Sequence, residues 1–598
     1  MWSRIADDLF LWRDSCNVYA IRRGDEAILI DSGTGLVAGH LGDIGVRTVA
    51  HVLHTHHHRD QCQGSTRLHA AGARLWAPEY EADLLGDPEG MWQGRPLLNS
   101  YSGRSDRFSP LTGLPLAGTL LDYGTWEWGD VRLTVLPVPG HTLGSCALLW
   151  DGMAAFTGDL LYAPGKVWSM GTFQYNYNGC GGALLSIRSL QMLRHASPAV
   201  LLPSHGEPMR DAARALAETE DALAAFVAAR DPELARLADA LSRPLESVSP
   251  HLLRDRYSVS SNWVVLSGDG HALWIDYGYP HHVCITEAGG DRAGKRPLLH
   301  GLEQLRDEFG VQQIDAVVIT HHHDDHVAAV NALRRATGAQ VWAPENFADV
   351  LEHPDAYKTQ CVWYDPIPVD RVLALGEAVS WRGIALTPHA QPGHTRYAAC
   401  IDLQVDGRRC LAIGDQFPHN YIYANQFAIG DYPDTVRLWR GIGPDLILPG
   451  HGPAQEGPAY IDRFADHAQE TDALHARLLP LEELDFGAGG QAVEVRPYHA
   501  FAAPGDTVEV VVAARNPLAR AAEVRVRLAL PEGWRADPGE ASAAAEPHGT
   551  ASLAFRLTVG GAPVRRARYA AELTVDGRPF GQVEEGFVTV GVRPARGR

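Results

Sequence analysis

Short apolar runs punctuate the chain, and two of them end at histidines. Val49-Ala-His-Val-Leu-His54 and Ala316-Val-Val-Ile-Thr320 have the length and β-branched content of buried strands. A helical spacing follows the second run. Val327-Ala-Ala-Val-Asn-Ala-Leu-Arg-Arg-Ala-Thr337 repeats its apolar positions every three or four residues and stops at Gly338, where a glycine ends a helix at little steric cost. Ala339–Ala343 returns as a strand. The Ala- and Glu-rich stretch from about Asp211 to Leu241 reads as helices, Pro244–Pro250 as a linker, and Tyr460–Leu479 as a closing helix.

These patterns occur twice. Asn17-Val-Tyr-Ala-Ile and Ile28-Leu-Ile-Asp31-Ser-Gly33 return as Asn262-Trp-Val-Val-Leu and Leu273-Trp-Ile-Asp276-Tyr-Gly278. Thr55-His-His-His-Arg-Asp-Gln61 is answered by Thr320-His-His-His-Asp-Asp-His326, and Gly72–Glu79 by Gly338–Glu345. Pro139-Gly-His-Thr142, Gly158-Asp159 and Leu202-Pro-Ser-His205-Gly recur as Pro392-Gly-His-Thr395, Gly414-Asp415 and Leu448-Pro-Gly-His451-Gly, in the same order. After about Asp485 the texture changes. Thr507–Val512, Glu523–Leu528, Leu553–Leu557 and Glu572–Val575 alternate or are β-branched, with turn signals at Pro531-Glu-Gly533 and Asp576-Gly577. Short strands at that spacing predict an antiparallel, immunoglobulin-like sandwich. The expected division is 1–245, 250–484 and 487–598.

Composition narrows the function. The 598 residues are 45% hydrophobic and 21% charged, as in an ordinary globular protein, and 52 basic against 72 acidic residues give a net charge of −20. Such a surface repels phosphate backbones, so small substrates are expected rather than nucleic acid. No run approaches the roughly 20 apolar residues of a membrane span, and the opening MWSRIADDLFLWRDSC does not read as a signal peptide. The eight cysteines are scattered without CxxC pairs, which favours a reducing, cytoplasmic setting.

The 28 histidines cluster, and there the chemistry lies. Zinc takes nitrogen and carboxylate ligands, and a catalytic site leaves one position open. Two histidines separated by one residue after a strand can face one ion, and the aspartate two positions later can face another. Further ligands must come from other strand ends, where both repeats offer Pro-Gly-His-Thr, Gly-Asp and Pro-x-His-Gly. His54, His57 and His322 fall outside this pattern and are expected at the surface or behind the ligands. His281, His282 and His419 read as loop residues, and Cys62 as a small buried apolar side chain.

The chain resembles the metallo-β-lactamase-fold hydrolase superfamily, in tandem, over roughly residues 1–245 and 250–480. The resemblance implies an α/β fold of two αββα sandwiches ahead of the terminal all-β sandwich. The hallmark His-x-His-x-Asp-His is met by His321, His323, Asp325 and His326. It implies that His321, His323 and His394 hold a first metal, that Asp325, His326 and His451 hold a second, and that Asp415 bridges. His56, His58, Asp60, His141, Asp159 and His205 match in the first repeat, where Gln61 replaces a histidine. An amide is a weaker ligand than imidazole, so the first repeat is either a single-ion or altered-ion site with its own activity, or a copy kept for packing.

The implied cofactor is Zn2+, two ions per complete site, with iron or manganese as alternatives. The implied reaction is attack of metal-bound hydroxide on a small ester, thioester or lactone, with Asp325 (and Asp60 in the first repeat) orienting the hydroxide. Tyr162, three residues after Asp159, resembles the Asp-x-x-Tyr of metal-dependent lactonases. Tyr175–Cys180 and Tyr421-Ile-Tyr423 are candidate pocket linings. Two other classes carry the same fold: an iron oxidoreductase resembling the persulfide dioxygenases, and an RNA-processing nuclease, which the acidic charge disfavours. The terminal sandwich is expected to serve structure, docking or self-association.

Overall fold

The computed structural model describes residues 2–90, 109–150, 153–169, 181–230, 232–281, 296, 298–359, 361–418, 428–479, 481–486 and 492–591. Tyr175–Cys180, His282, His419 and Tyr421–Tyr423 lie outside them. Two units organise the chain. One comprises Met1–Glu246, Arg256–Val259 and Tyr279–Gly310, the other Ser247–Asp255, Ser260–Gly278 and Val311–Arg598.

In the first unit a seven-stranded sheet runs in sequence order from Trp2–Ala6 to Leu116–Leu120. Its early strands pair antiparallel, while Glu26–Ile30, Thr48–Leu53, Arg74–Pro78 and Leu116–Leu120 pair parallel. A five-stranded sheet, Val200–Pro203, Ala154–Gly158, Cys146–Trp150, Val131–Pro137 and Thr125–Trp128, faces it. Leu11, Tyr19, Ile28, Leu53, Leu133, Leu148 and Phe156 fill the space between. The outer faces pack helices: Ser65–Ala70 and Ala82–Gly86 on one side, Gly181–Ala196 and Ala212–Arg230 on the other. Burial on both faces is why these strands read as continuous apolar runs.

The second unit repeats that αββα architecture. Trp263, Leu273, Val318, Ile401 and Leu448 lie between its seven- and six-stranded sheets, and helices Asp431–Ile442 and Gly457–Leu478 cover the outer face through Trp439 and Phe464. The segment expected as a linker contains a strand, Leu245–Ser249, because the sheet edge beside it supplies backbone partners that composition does not reveal. The helix expected over Val327–Thr337 is two pieces, Asp324–Val327 and Val330–Thr337. The break falls where Ala329 N–H donates to the Tyr277 carbonyl at 3.1 Å, tying the helix to the turn after His271–Ile275. Gly278 allows that approach, since a Cβ there would overlap the Asp325 carbonyl oxygen at 1.5 Å.

Within the second unit, a four- and a five-stranded sheet follow Ala492 and share one apolar core. Strand Thr550–Thr558 alternates exposed and buried positions throughout, as a sheet with one wet face requires. The expected turn is present, with Asp576 and Gly577 at φ 46° and 78° between paired Val575 and Arg578. These sheets hold two loops of the preceding sandwich, at Ala356–Lys358 and at Arg396–Tyr397. Glu494 accepts from Arg396 at 2.9 Å, Tyr397 at 3.1 Å and Arg496 at 2.8 Å, and Lys358 pairs with Glu584 at 2.6 Å. Tyr498 N–H donates to the Ala356 carbonyl at 2.8 Å.

In the first unit, Arg296 is fully buried. It makes two bonds to Asp122, at 2.7 and 2.8 Å, and a third to the Leu143 carbonyl at 2.7 Å, two residues beyond His141. The six described cysteines are free thiols. Among the described residues no helix is long and apolar enough to cross a membrane.

Arg296→Met leaves Asp122 buried without its counter-charge, so urea unfolding should show the first unit losing about 3–5 kcal/mol, part of which Asp122→Asn restores in the double variant. Burial raises the Glu494 carboxyl, but Arg396 and Arg496 hold it net below its ordinary value. Its stabilisation is therefore present above the unfolded pKa and disappears as pH falls through the folded one. Glu494→Gln should cost about 1 kcal/mol at pH 7 in thermal melts, with wild type and variant converging below roughly pH 4.

Candidate metal centre

Each histidine cluster sits on the turn that leaves a parallel strand, Thr48–Leu53 or Gln313–Val318, at the end of the sheet. A buried aspartate from the neighbouring strand sets that turn. Asp31 and Asp276 both adopt φ 60°, a left-handed conformation that aspartate tolerates better than most residues. Asp276 accepts from Thr320 N–H at 2.8 Å and from its hydroxyl at 2.7 Å, and Thr320 Oγ1 lies 3.1 Å from His321 Nδ1. Asp31, Thr55 and His56 repeat this at 2.9, 2.9 and 3.0 Å. The hydroxyl has one proton and gives it to the carboxylate. The imidazole must then donate from Nδ1, which leaves the Nε2 lone pair for a cation.

In the second repeat, His394 Nε2 lies 3.0 Å from His323 Nδ1 and 3.6 Å from Asp415 Oδ2. His321, His323, His394 and Asp415 form one donor group; Asp325, His326, Asp415 and His451 form another. His326 Nε2 is 3.0 Å from Asp415 Oδ1, and His451 Nε2 is 3.1 Å from Asp325 Oδ2 and 3.3 Å from Asp415 Oδ2. Asp415 belongs to both groups. Asp276 also accepts from His326 Nδ1 at 2.8 Å, so one carboxylate aims two imidazoles.

The first repeat preserves half of this. His141 Nε2 is 3.0 Å from His58 Nδ1 and 3.4 Å from Asp159 Oδ2, and His56 Nε2 is 3.6 Å from the same oxygen. Asp60, Asp159 and His205 gather separately. Trp168 stacks on His205 at 4.0 Å between ring centres, and Tyr162 stacks in turn on Trp168 at 5.8 Å. His54, His57 and His322 are all buried rather than at the surface. His57 Nδ1 is 3.0 Å from Glu81 Oε2, whose other oxygen takes Thr142 and the Gly144 N–H and so fixes the His141 loop. Cys62 is buried as expected, and His281 is exposed in its loop.

Sequence reading singled out neither Asp31, Asp276, Glu81 nor Gln416 as a functional residue. Gln416 accepts from His394 N–H at 2.9 Å and donates to the Pro392 carbonyl at 3.1 Å. The signal for the two aspartates was present: each ends an apolar strand two residues before a glycine, in both repeats.

Burial holds His56, His58, His321 and His323 well below the ordinary imidazole range, in the neutral form that binds metals. Burial would lower His326 as well, but Asp415, Asp325 and Asp276 carry it well above. His451 rises against its burial to about 10 through Asp325 and Asp415, and His205 to about 10 through Asp159 and Asp60. These carboxylate cages attract a positive charge. The buried Nε2 atoms of His321 and His56 have no hydrogen-bond partner, a cost of about 1–3 kcal/mol each that a cation removes. Donor separations of 3.0–3.6 Å match the roughly 3.3 Å edges of a tetrahedral zinc site. The residues fit a divalent metal.

A sequence profile of the metallo-beta-lactamase superfamily matches residues 11–205 and again 260–451. A hydroxyacylglutathione hydrolase of Albidiferax ferrireducens is 29% identical over 145 residues, 24% of this chain and 46% of the relative. One from Rhizobium meliloti is 25% identical over 250 residues, 40% of this chain and 80% of the relative. The chain thus spans about half the length of the first and most of the second. Among solved structures, a class B3 metallo-beta-lactamase with an active-site glutamic acid aligns at 19% identity with a TM-score of 0.31, covering 39% of this chain and 89% of its own.

Asp276→Asn removes a carboxylate that orients both His321 and His326. Zinc affinity of the second unit should fall about 10–100-fold, read by competition with a chromogenic chelator.

Proposed function

The chain belongs to the metallo-beta-lactamase superfamily, and on that footing we propose that it is a metal-dependent hydrolase of small acyl substrates, thioesters foremost, with the second repeat as its complete catalytic centre. The observation that carries this reading is the convergence of His321, His323, His394, Asp415, Asp325, His326 and His451 into two donor groups that share one carboxylate. His321, His323 and His394 would hold one Zn2+ and Asp325, His326 and His451 a second, with Asp415 between them. Bound there, such cations bring the pKa of a water toward 7 and polarise a substrate carbonyl.

The chain's own residues supply the rest. Asp325, partly exposed and 3.1 Å from His451, would orient an attacking water and accept its proton. Asp276 keeps His321 and His326 aimed. Beside His451 opens a cavity of about 730 Å3, lined by Phe417, Pro418, Pro449, Gln455, Tyr460 and Arg463 among others. That volume suits a ligand of a few hundred daltons. Phe417 meets the His451 ring edge-on at 5.8 Å, giving an apolar wall for an acyl or thiol chain. Arg463, held 2.9 Å from Gln455 and over the Tyr460 ring, offers a cation for a substrate carboxylate. Relatives named for hydroxyacylglutathione favour an acyl–thiol ester over a lactone or phosphodiester. In the first repeat, Asp60 would play the part of Asp325, and Tyr162 would stand at the mouth.

The test is a panel of thioesters, esters, lactones and phosphodiesters assayed on zinc-loaded and chelator-stripped protein. Zinc-dependent thioester cleavage is the expected result. Asp325→Asn should lower kcat about 10²–10³-fold with little change in melting temperature, whereas turnover that survives chelation and this substitution rejects the reading.

A further inference from the structure

The two repeats differ at a coupled set of positions, and the differences fall on one side of the site. In the second repeat, Asp276 Oδ2 takes His326 Nδ1 at 2.8 Å, which turns His326 Nε2 to Asp415. In the first, Gln61 stands where His326 does, so Asp31 has no imidazole to hold. Ser204 supplies the missing donor, its hydroxyl 3.0 Å from Asp31 Oδ2. The second repeat has Gly450 at the position of Ser204, and a Cβ there would lie 2.1 Å from Asp415 Oδ1. Histidine with glycine, or glutamine with serine: each pair satisfies the same buried carboxylate.

Gln61 is fully buried and directs its amide nitrogen to Asp159 Oδ2 at 3.3 Å, the oxygen that also faces His56 and His141. A carboxylate cannot donate, so the nitrogen and not the oxygen must face it. His205 is also turned. It presents Nδ1 to Asp159 Oδ1 at 2.7 Å, and its Nε2 lies 3.0 Å from the Ser15 carbonyl and 3.3 Å from Asp60 Oδ2, so both ring nitrogens face oxygen acceptors. His451 also directs Nε2 at its neighbouring aspartate, Asp325, but it is Nε2 and not Nδ1 that faces Asp415. Trp168, parallel to His205 within 2°, packs flat against the turned ring. Meanwhile His56, His58 and His141 keep the same mutual arrangement as His321, His323 and His394.

We propose that the first unit is a site for one divalent cation, held by His56, His58 and His141 against Asp159, and that Gln61, Ser204 and His205 close the position where the second repeat provides for another. The chain then takes three ions, one in the first unit and two in the second. This rests on the metal reading of the family, and it goes beyond that reading in giving the two repeats different stoichiometry. The first unit is a remodelled site rather than a broken one, because Ser204 fills the acceptor on Asp31 and the Gln61 amide nitrogen bonds Asp159, although the buried Gln61 Oε1 has no partner.

The experiment counts Zn2+ per full-length chain by mass spectrometry, after stripping with chelator, reloading with Zn2+ alone and desalting. Wild type should retain three. A chain with His321→Ala, His323→Ala, Asp325→Ala and His326→Ala should retain one in the first unit, and a chain with His56→Ala and His58→Ala should retain two in the second. Two ions in the former overturn the proposal, as would happen if the Gln61 amide flips and its oxygen ligates; none overturns it equally. A second-unit count of zero counts against the proposed catalytic centre and not against this inference, so the two failures are distinct. Gln61→His with Ser204→Gly, added to the chain disabled in its second unit, should raise the count from one to two. An unchanged count shows that this pair does not close the position.

Discussion

A carboxylate buried at the end of one strand decides which nitrogen of the histidine on the next strand is left for a cation. The relay is short: Thr320 donates its hydroxyl hydrogen bond to Asp276, Thr320 Oγ1 accepts one from His321 Nδ1–H, and Nε2 is left with its lone pair toward the site. Placing an aspartate there costs burial of a charge and a left-handed backbone. The return is a fixed tautomer and a fixed ring plane, without which seven donor side chains from four chain segments would not point at common centres. Everything around the site serves that aim, down to Gly278, which lets the helix carrying Asp325 and His326 sit against the aspartate's own turn.

The same constraint shows how one fold accommodates two different sites. A buried carboxylate must have its acceptors filled, but it is indifferent to whether a histidine or a serine fills them. Asp31 with Thr55 and Ser204 is as complete as Asp276 with Thr320 and His326, although burial leaves Asp31 with a pKa raised to about 7. The difference at Gln61 is therefore matched at Ser204, and not in the three-histidine cluster. The scaffold of each repeat is nearly the same; its occupancy is set by a few hydrogen bonds.

Much of this was legible in the sequence, because the repeat made it so. The His-x-His-x-Asp runs, the strands that lead into them and the alternating strands after Ala492 all follow from periodicities of two or of three to four residues. Less legible were features that depend on distant partners. Nothing local in Leu245–Ser249 distinguishes an edge strand from a linker. The helix break before Val330 arises from a hydrogen bond to Tyr277, more than 50 residues earlier. Glu81 looks like a surface acid until its pairing with His57 and Thr142 is seen. The contacts of His205 with the Ser15 carbonyl and the Trp168 ring likewise depend on residues that no spacing rule connects to it.

The segment Tyr279–Gly310 belongs to the first unit although it is encoded after the second repeat has begun. Its Arg296 supplies the guanidinium that neutralises Asp122 and pins the carbonyl of Leu143 beside His141. Translation is vectorial, so the amino-terminal half must wait on the ribosome, incomplete, until Gly310 has cleared the exit tunnel. At about 5–20 residues per second that delay lasts several seconds, during which a nascent chain carrying Asp122 without its counter-ion would be exposed to proteases and holdase chaperones.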